Sequence, residues 1–230
     1  MTHIGVITAL ESEAGCLDRF LNHADLQNFV SGPGASAAAL AASRAIEARC
    51  NTLVSYGYAG ALDPALRAGD LLIGLSISNE KNKIESDNSS VQQLISKIDK
   101  TNGVRAQLST LYAAPSIVTS AAQKAKLRRR GGWDAVDMES FAVGCAALQH
   151  GLSFLIVRAI VDTAELSLPD NLSKMIDERG AILRKTALWG ILKNPLDLPK
   201  YSSLAGARKK ADQALRRVAP LLVKVLIDSR

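Results

Sequence analysis

The amino-acid sequence predicts an α/β protein, a three-layer α/β/α sandwich around a central mixed, largely parallel sheet. Three observations point there. Apolar runs of strand length alternate along the chain with longer stretches of helical length, as in strand–helix–strand units. Glycine-bearing turns close several of these runs. The apolar material is aliphatic, with 47% hydrophobic residues but only 4% aromatic ones, which suits a sheet covered by helices on both faces.

Taken in order, IGVITAL (4–10) is a β-rich apolar run, and the ESEAG that follows it opens a helix. In NFVSGPGASAAALAASRAIEARC (28–50) a strand, a glycine turn and an Ala-rich helix succeed one another. Gly32 and Gly34 permit the tight turn, and Ser31 or Ser36 can cap the helix. TLVSYGYAGAL (52–62) is a buried strand entering a second glycine turn, and DPAL (63–66) leads into the strand GDLLIGLSIS (69–78). The polar stretch 79–103 reads as an exposed loop and a surface helix, because strands flank it. GVRAQLSTLYAAPSIVTSAAQKAKL (103–127) gives a strand, a loop at Pro115 and a helix capped near Thr119 or Ser120. DAVDMESFAVGCAALQHG (134–151) is a strand end and a helix with small packing residues, closed by Gly151. LSFLIVRAIVDTAE (152–165) is the most hydrophobic strand and releases Asp162 at its C-terminal end. Helices follow, including ERGAILRKTALWGIL (178–192), then an NPLDLP turn (194–199) and a basic helix.

At 230 residues the chain suits one large domain over residues 1–200. Residues 201–230 form a basic helical extension, packed on that domain or lying at a surface. The opening MTHIGVITALESEAG lacks a basic leader, and no apolar stretch reaches the roughly 18–20 residues a bilayer requires. Cys16, Cys50 and Cys145 are odd in number and lack metal-ligand spacing, so the expectation is reduced core thiols in a cytoplasmic protein. No metal site and no organic cofactor are indicated. The net charge of +6 concentrates in KAKLRRR (124–130) and ARKKADQALRRV (207–218). With little aromatic material nearby to stack bases, both read as solvated helix faces, and nucleic acid is not an expected partner.

In folds of this class ligands gather at the carboxyl ends of strands. Three carboxylates sit at such places: Glu13 beyond the first strand, Glu139 just after AVDM, and Asp162 at the end of FLIVRAIV. Acidic residues are otherwise unwelcome beside such apolar runs, so the three mark a site.

The ordered segments IGVITALESE, SGPGASAAA, YAGALDPALRAGDLLIG, AVDMES and VRAIVDTAE resemble the nucleoside phosphorylase and nucleosidase superfamily. Among its enzymes the chain is most similar to methylthioadenosine/S-adenosylhomocysteine nucleosidases. VDMESFAV and the C-terminal LWGILKNPLDLP…ARKKADQALRR further resemble the hopanoid-associated branch, named for phosphorolysis and linked to removal of adenine from adenosylhopane. The resemblance implies a nucleoside phosphorylase-like catalytic domain that breaks the N-glycosidic bond of an adenosyl compound. It implies Asp162 as the acid that meets N7 of the purine and Glu13 as the base that activates water. Glu139 and Met138 would hold the ribose, and Ile117 and Val118 would border the adenine. Tyr58 and Gly60, in the glycine turn after the third strand, would contact the substrate. A small-molecule adenosyl substrate and a homodimer are implied as well.

Two positions depart from the nucleosidase pattern. Tyr58 replaces a small hydroxyl residue, and Val161 replaces the Ser that usually precedes the catalytic Asp. Both put methylthioadenosine and S-adenosylhomocysteine in doubt as substrates. Phosphorolysis usually needs an arginine fork. Ser55 and Tyr58 occupy the positions where phosphorylases carry Arg and Ser, so water is the favoured acceptor, although Arg19 or Arg67 could supply a cation. Residues 204–227 join a basic cluster to an apolar run, with Pro220 bending or dividing them. Such a segment either packs on the domain or a partner subunit, or lies weakly on an anionic membrane surface at the cytoplasmic face.

Overall fold

The computed structural model describes residues 3–20, 25–100, 105–168 and 198–228. The strands are β1 (Ile4–Thr8), β2 (Leu26–Val30), β3 (Thr52–Ala61), β4 (Leu71–Ser78), β5 (Lys83–Glu85), β6 (Ala106–Ala113), β7 (Ala135–Asp137) and β8 (Ser153–Asp162). The helices are α1 (Glu11–Ala14), α2 (Ala35–Glu47), α3 (Asn88–Asp99), α4 (Ala121–Gly131), α5 (Ser140–Gln149) and α6 (Leu198–Asp228). The helix expected over 178–192 and most of the turn at 194–199 lie outside the described residues.

The sheet is mixed and largely parallel, as expected. β1 pairs in parallel with β2 and β3, β3 with β8, β4 with β6, and β6 with β7. β8 runs antiparallel to β4, and β5 runs antiparallel to the end of β4. The last two residues of β3, Gly60 and Ala61, pair antiparallel with β7, so the circuit β3–β8–β4–β6–β7 closes on itself. A register shift between Ala59 and Gly60 brings Gly60 opposite Asp162.

Because successive side chains of a strand point to opposite faces, strands buried on both faces feed two separate apolar layers. From β8, Leu155, Val157 and Ala159 enter one cluster with α3 and α6. Phe154, Ile156 and Ile160 enter another with α2 and α5. β3 divides in the same way, sending Val54 and Tyr56 to the first layer and Leu53 and Ala61 to the second. This two-sided demand explains the near-continuous apolar runs in the sequence. α2 offers Ala38, Ala41, Ala42 and Ala45 to its layer, residues small enough to bring the helix close to the strands.

Several expectations need correction. β5 lies in the polar stretch 79–103, where only a loop and a helix were expected; its single buried residue, Ile84, gives almost no apolar periodicity. α2 begins at Gly34 with no side-chain cap, so neither Ser31 nor Ser36 caps it. The basic run 124–130 is not simply a solvated face. Lys124 is fully buried, and Arg128 is half-buried between Asp63 and Asp134. Pro220 does not divide the last helix, because α6 continues through it. A proline inside a helix costs about 3 kcal/mol or more, and the buried neighbours Val218, Ala219 and Leu222 supply the packing that offsets it. No helix among the described residues is long and apolar enough to cross a membrane.

Candidate active site

Glu13 stands in the single turn α1, directly after β1, and is buried. Its Oε2 accepts from the amides of Ala9 (2.8 Å) and Leu10 (2.9 Å), and its Oε1 from the amide of Tyr58 (2.8 Å). Burial pushes its pKa up, against the pull of Arg158 and of these three amides. The carboxylate lies over Gly57 of β3. A Cβ there would come within 2.3 Å of Glu13 Oε1 and 2.9 Å of Arg158 Nη1, so the strand must be bare at this point.

Arg158 is the charge around which the site is organised. It is 2% exposed in the middle of β8. Its Nε donates to Asp137 Oδ2 (2.7 Å), and its Nη2 donates to the hydroxyls of Ser55 (2.7 Å) and Ser140 (2.9 Å). Ser140 in turn donates to Asp137. A buried guanidinium needs partners of this quality to offset its lost hydration. Its field also reaches Glu139 and Glu13, and the three carboxylates together raise its pKa despite burial.

Glu139 precedes α5 and is half-buried. Its Oε1 accepts from the amide of Gly34 (2.7 Å) and its Oε2 from that of Met138 (3.3 Å). Gly34, at φ 99°, sits in the left-handed region that favours glycine. The glycine turn before α2 therefore supplies a donor to Glu139 as well as a change of direction. Burial first, and the negative field of Asp137 second, raise the pKa of Glu139 to about 7, with Glu13 adding a smaller push. Glu13 and Glu139 thus share one electrostatic environment with Arg158.

Asp162 ends β8 and is 5% exposed. A Cβ on Gly60 would fall 3.1 and 3.2 Å from its two carboxylate oxygens. Burial raises its pKa, opposed by the ammonium of Lys124, which donates to Oδ2. Gly57, beneath Glu13, and Gly60, beneath Asp162, are three residues apart on β3. At about 3.3 Å per residue that separation is roughly 10 Å along the strand.

The remaining predicted residues take distinct places. Met138 borders Gly34: a Cβ there would lie 3.9 Å from its Cε. Tyr58 gives its amide to Glu13, but its ring packs against the layer of α6, where its hydroxyl donates to Asp212 and lies 3.3 Å from Ser12 Oγ. Val118 packs beside Leu62, Tyr112 and Val136. Ile117 is half-buried in the loop between β6 and α4. Arg158, Asp137, Ser140 and Lys124 were not among the residues expected from the sequence. Arg158 had a visible signal, a lone cation inside FLIVRAIV. Lys124 had none, hidden in a run of five basic residues.

The model of the phosphorylase superfamily matches residues 28–188. The solved structures similar to this chain include three that cover nearly all of it. The 5′-methylthioadenosine/S-adenosylhomocysteine nucleosidase of Neisseria meningitidis, in complex with methylthio-immucillin-A, is 18% identical with a TM-score of 0.75, over 100% of both chains. The corresponding nucleosidase of Colwellia psychrerythraea, in complex with adenine, is 17% identical with a TM-score of 0.74, over 98% of this chain and 96% of that one. The futalosine hydrolase of Helicobacter pylori is 15% identical with a TM-score of 0.73, over 100% and 98%. At these identities the likeness is one of fold, and with the family match it makes the chain a member of the phosphorylase superfamily.

Proposed function

We propose that the protein is a nucleosidase that hydrolyses the N-glycosidic bond of an adenosyl compound and releases adenine. One observation carries this reading: Glu13 and Arg158 lie over Gly57 of β3, Glu139 shares the field of Arg158, and Asp162 lies over Gly60 of the same strand. Cleavage of such a bond separates charge, with electron density moving to the base and positive charge growing at the anomeric carbon. Asp162 gives a proton to N7 of the base. Glu139 accepts hydrogen bonds from the ribose hydroxyls, with Met138 against the sugar face. Glu13 takes the proton of the attacking water. Ile117 and Val118 border the base, and Gly60 leaves room for the carboxyl of Asp162.

Water rather than phosphate is the acceptor in this reading. Arg158, the buried cation nearest the nucleophile's end, commits its Nε and Nη2 donors to Asp137, Ser55 and Ser140, and Tyr58 cannot neutralise phosphate. The natural substrate is proposed to carry a bulky apolar 5′ group, with adenosylhopane the reading that the C-terminal sequence favours. The protein is further proposed to be a cytoplasmic homodimer with weak contact to an anionic membrane surface. The apolar face of α6 is turned inward, so such contact would rest on exposed cations such as Lys209, Lys210 and Arg216. Co-sedimentation with anionic liposomes at low salt tests the contact, and recovery of the protein only in the supernatant would remove it. Adenine release from a panel of 5′-substituted adenosines, with and without phosphate, tests the activity. Release independent of phosphate is expected; a rate that requires phosphate would overturn hydrolysis, and no release from any member would overturn the nucleosidase reading.

A further inference from the structure

Lys124 is a charge buried next to the reaction that the mechanism above leaves unused. Its side chain is 0% exposed. The ammonium donates to Asp162 Oδ2, to the main-chain oxygen of Thr163 (2.7 Å) and to that of Leu166 (2.9 Å). Those three acceptors use all three of its protons. Such a site is built: the first turn of α4 delivers the cation, and the segment leaving β8 folds over it. A lysine kept only for surface charge has no reason to be here. The remaining cations of α4 are engaged elsewhere or exposed. Arg128 is held by Asp63 and Asp134, Arg130 by Glu80, and Lys126 and Arg129 face outward. Glu165, in the segment that covers Lys124, is exposed. From β3, Asp162 meets only the bare backbone of Gly60. Among the described residues, Lys124 is therefore the charged group that bears on Asp162.

We propose that Lys124 is a positioning residue and proton reservoir that acts through Asp162, the two groups sharing the proton that the leaving base receives. A carboxylate paired with an ammonium has no proton of its own to give. In an enclosed site, transfer within the pair converts two buried charges into a neutral amine and a neutral acid. As the bond between the anomeric carbon and N9 breaks, its electron pair passes to the purine. The proton moves from Nζ to the carboxylate and from the carboxyl to N7. Lys124, left as an amine, regains a proton from solvent once the base departs. The proton of the attacking water leaves through Glu13. The sum is water plus nucleoside giving adenine plus ribose product, with no proton gained or lost by the enzyme.

This inference rests on the nucleosidase reading, and the test separates the two. Adenine release is followed against pH for the wild-type chain, Lys124→Met and Lys124→Arg, using adenosine, 5′-methylthioadenosine and 5′-alkyl adenosines as probes. In the wild type the shared proton rests on Nζ against the carboxylate. In Lys124→Met, Asp162 holds its proton alone, and a carboxyl yields it earlier than an ammonium does. The alkaline limb of kcat/KM is therefore expected to move down by at least about one pH unit. Lys124→Arg keeps the charge but holds its protons too firmly to donate, which leaves Asp162 ionised, so its turnover at neutral pH is expected to fall about 10²-fold. A limb that stays in place in Lys124→Met, or near wild-type turnover in Lys124→Arg, overturns the reservoir and leaves Lys124 as a counter-charge. Should Lys124→Met fail to fold, Lys124→Gln, which can still donate to the oxygens of Thr163 and Leu166, is read by the same limb. A wild-type chain inactive on every probe sinks the nucleosidase reading, and this one falls with it.

Discussion

Asp162→Asn separates proton delivery from shape. The amide oxygen can still accept from Lys124, which donates to Asp162 Oδ2 in the native chain, so the variant is expected to stay folded. Without an acid for the base, turnover should fall about 10²-fold or more. Circular dichroism and adenine release on the same preparation check both halves, and near-normal turnover would remove Asp162 from the mechanism. Glu139 gives a prediction in pH. Its pKa is raised from 4.5 to about 7 by burial and by Asp137, and only the ionised form can accept from two ribose hydroxyls. KM for the nucleoside should therefore fall as pH rises through about 7, and Glu139→Gln should flatten that dependence. The same shift affects stability with a definite sign. Between pH 4.5 and about 7 the folded protein holds a proton that the unfolded chain has released. The contribution of Glu139 to stability is thus complete below 4.5 and lost as pH rises through about 7. Melting temperatures of wild type and Glu139→Gln across that window should diverge as the pH rises, with the variant relatively more stable at the upper end.

At the scale of elements, β3 is the frame of the site, and its glycines carry the geometry. The carboxylate of Glu13 occupies the space that a side chain at position 57 would take. Gly57→Ala should displace Glu13 and Arg158 together and reduce turnover by more than tenfold, while leaving the strand's pairing with β8 intact. Steady-state kinetics with a thermal melt would check this, and an unaffected rate would show that Glu13 need not sit there. The elements that were legible in the sequence are those whose residues serve one demand. β1, β3, β4 and β8 are apolar on both faces, and α2 and α5 are rich in small residues, so pattern and place agree. β5 was illegible because an edge strand of three residues with one buried side chain has no period to read. The three carboxylates were legible because each breaks an apolar context at a strand end. Asp137 and Ser140 were not, since their importance comes only from Arg158, 21 and 18 positions away along the chain. Lys124 shows the converse. Composition assigned it to a solvated basic run, but one turn of α4 aims it inward while its neighbours Lys126, Arg129 and Arg130 face solvent, a distinction of rotation about the helix axis that charge counting does not see.

For the molecule as a whole, the question is what the final helix contributes, because the sequence allowed it to pack on the domain or to lie on a surface. Leu215, Val218, Leu222, Val225 and Leu226 are all buried in the layer that also holds Tyr56, Leu155 and Val157 of the central strands. The helix is tied to the site's own elements by polar contacts too. The hydroxyl of Tyr56 donates to Leu215 O (2.7 Å), that of Tyr58 donates to Asp212, and Cys16 Sγ lies 3.7 Å from Asp212 O. α6 is thus half of one helical layer, and the strand that carries Arg158 and Asp162 rests on it, beside the turn that carries Glu13. Leu222→Ala, which deletes a fully buried side chain, should cost about 2–5 kcal/mol in chemical denaturation, with KM little changed because Leu222 belongs to the apolar layer of α6. Removing residues 203–230 goes further, since it strips cover from the apolar faces of β3, β4 and β8 at once. Exposed strands of that character associate with one another rather than remain in solution. The truncated chain is expected to be insoluble or to bind hydrophobic dyes as an unfolded species. A soluble truncated protein that still melted cooperatively would mean that the central sheet is stable without α6, and the helix would then be an appendage after all.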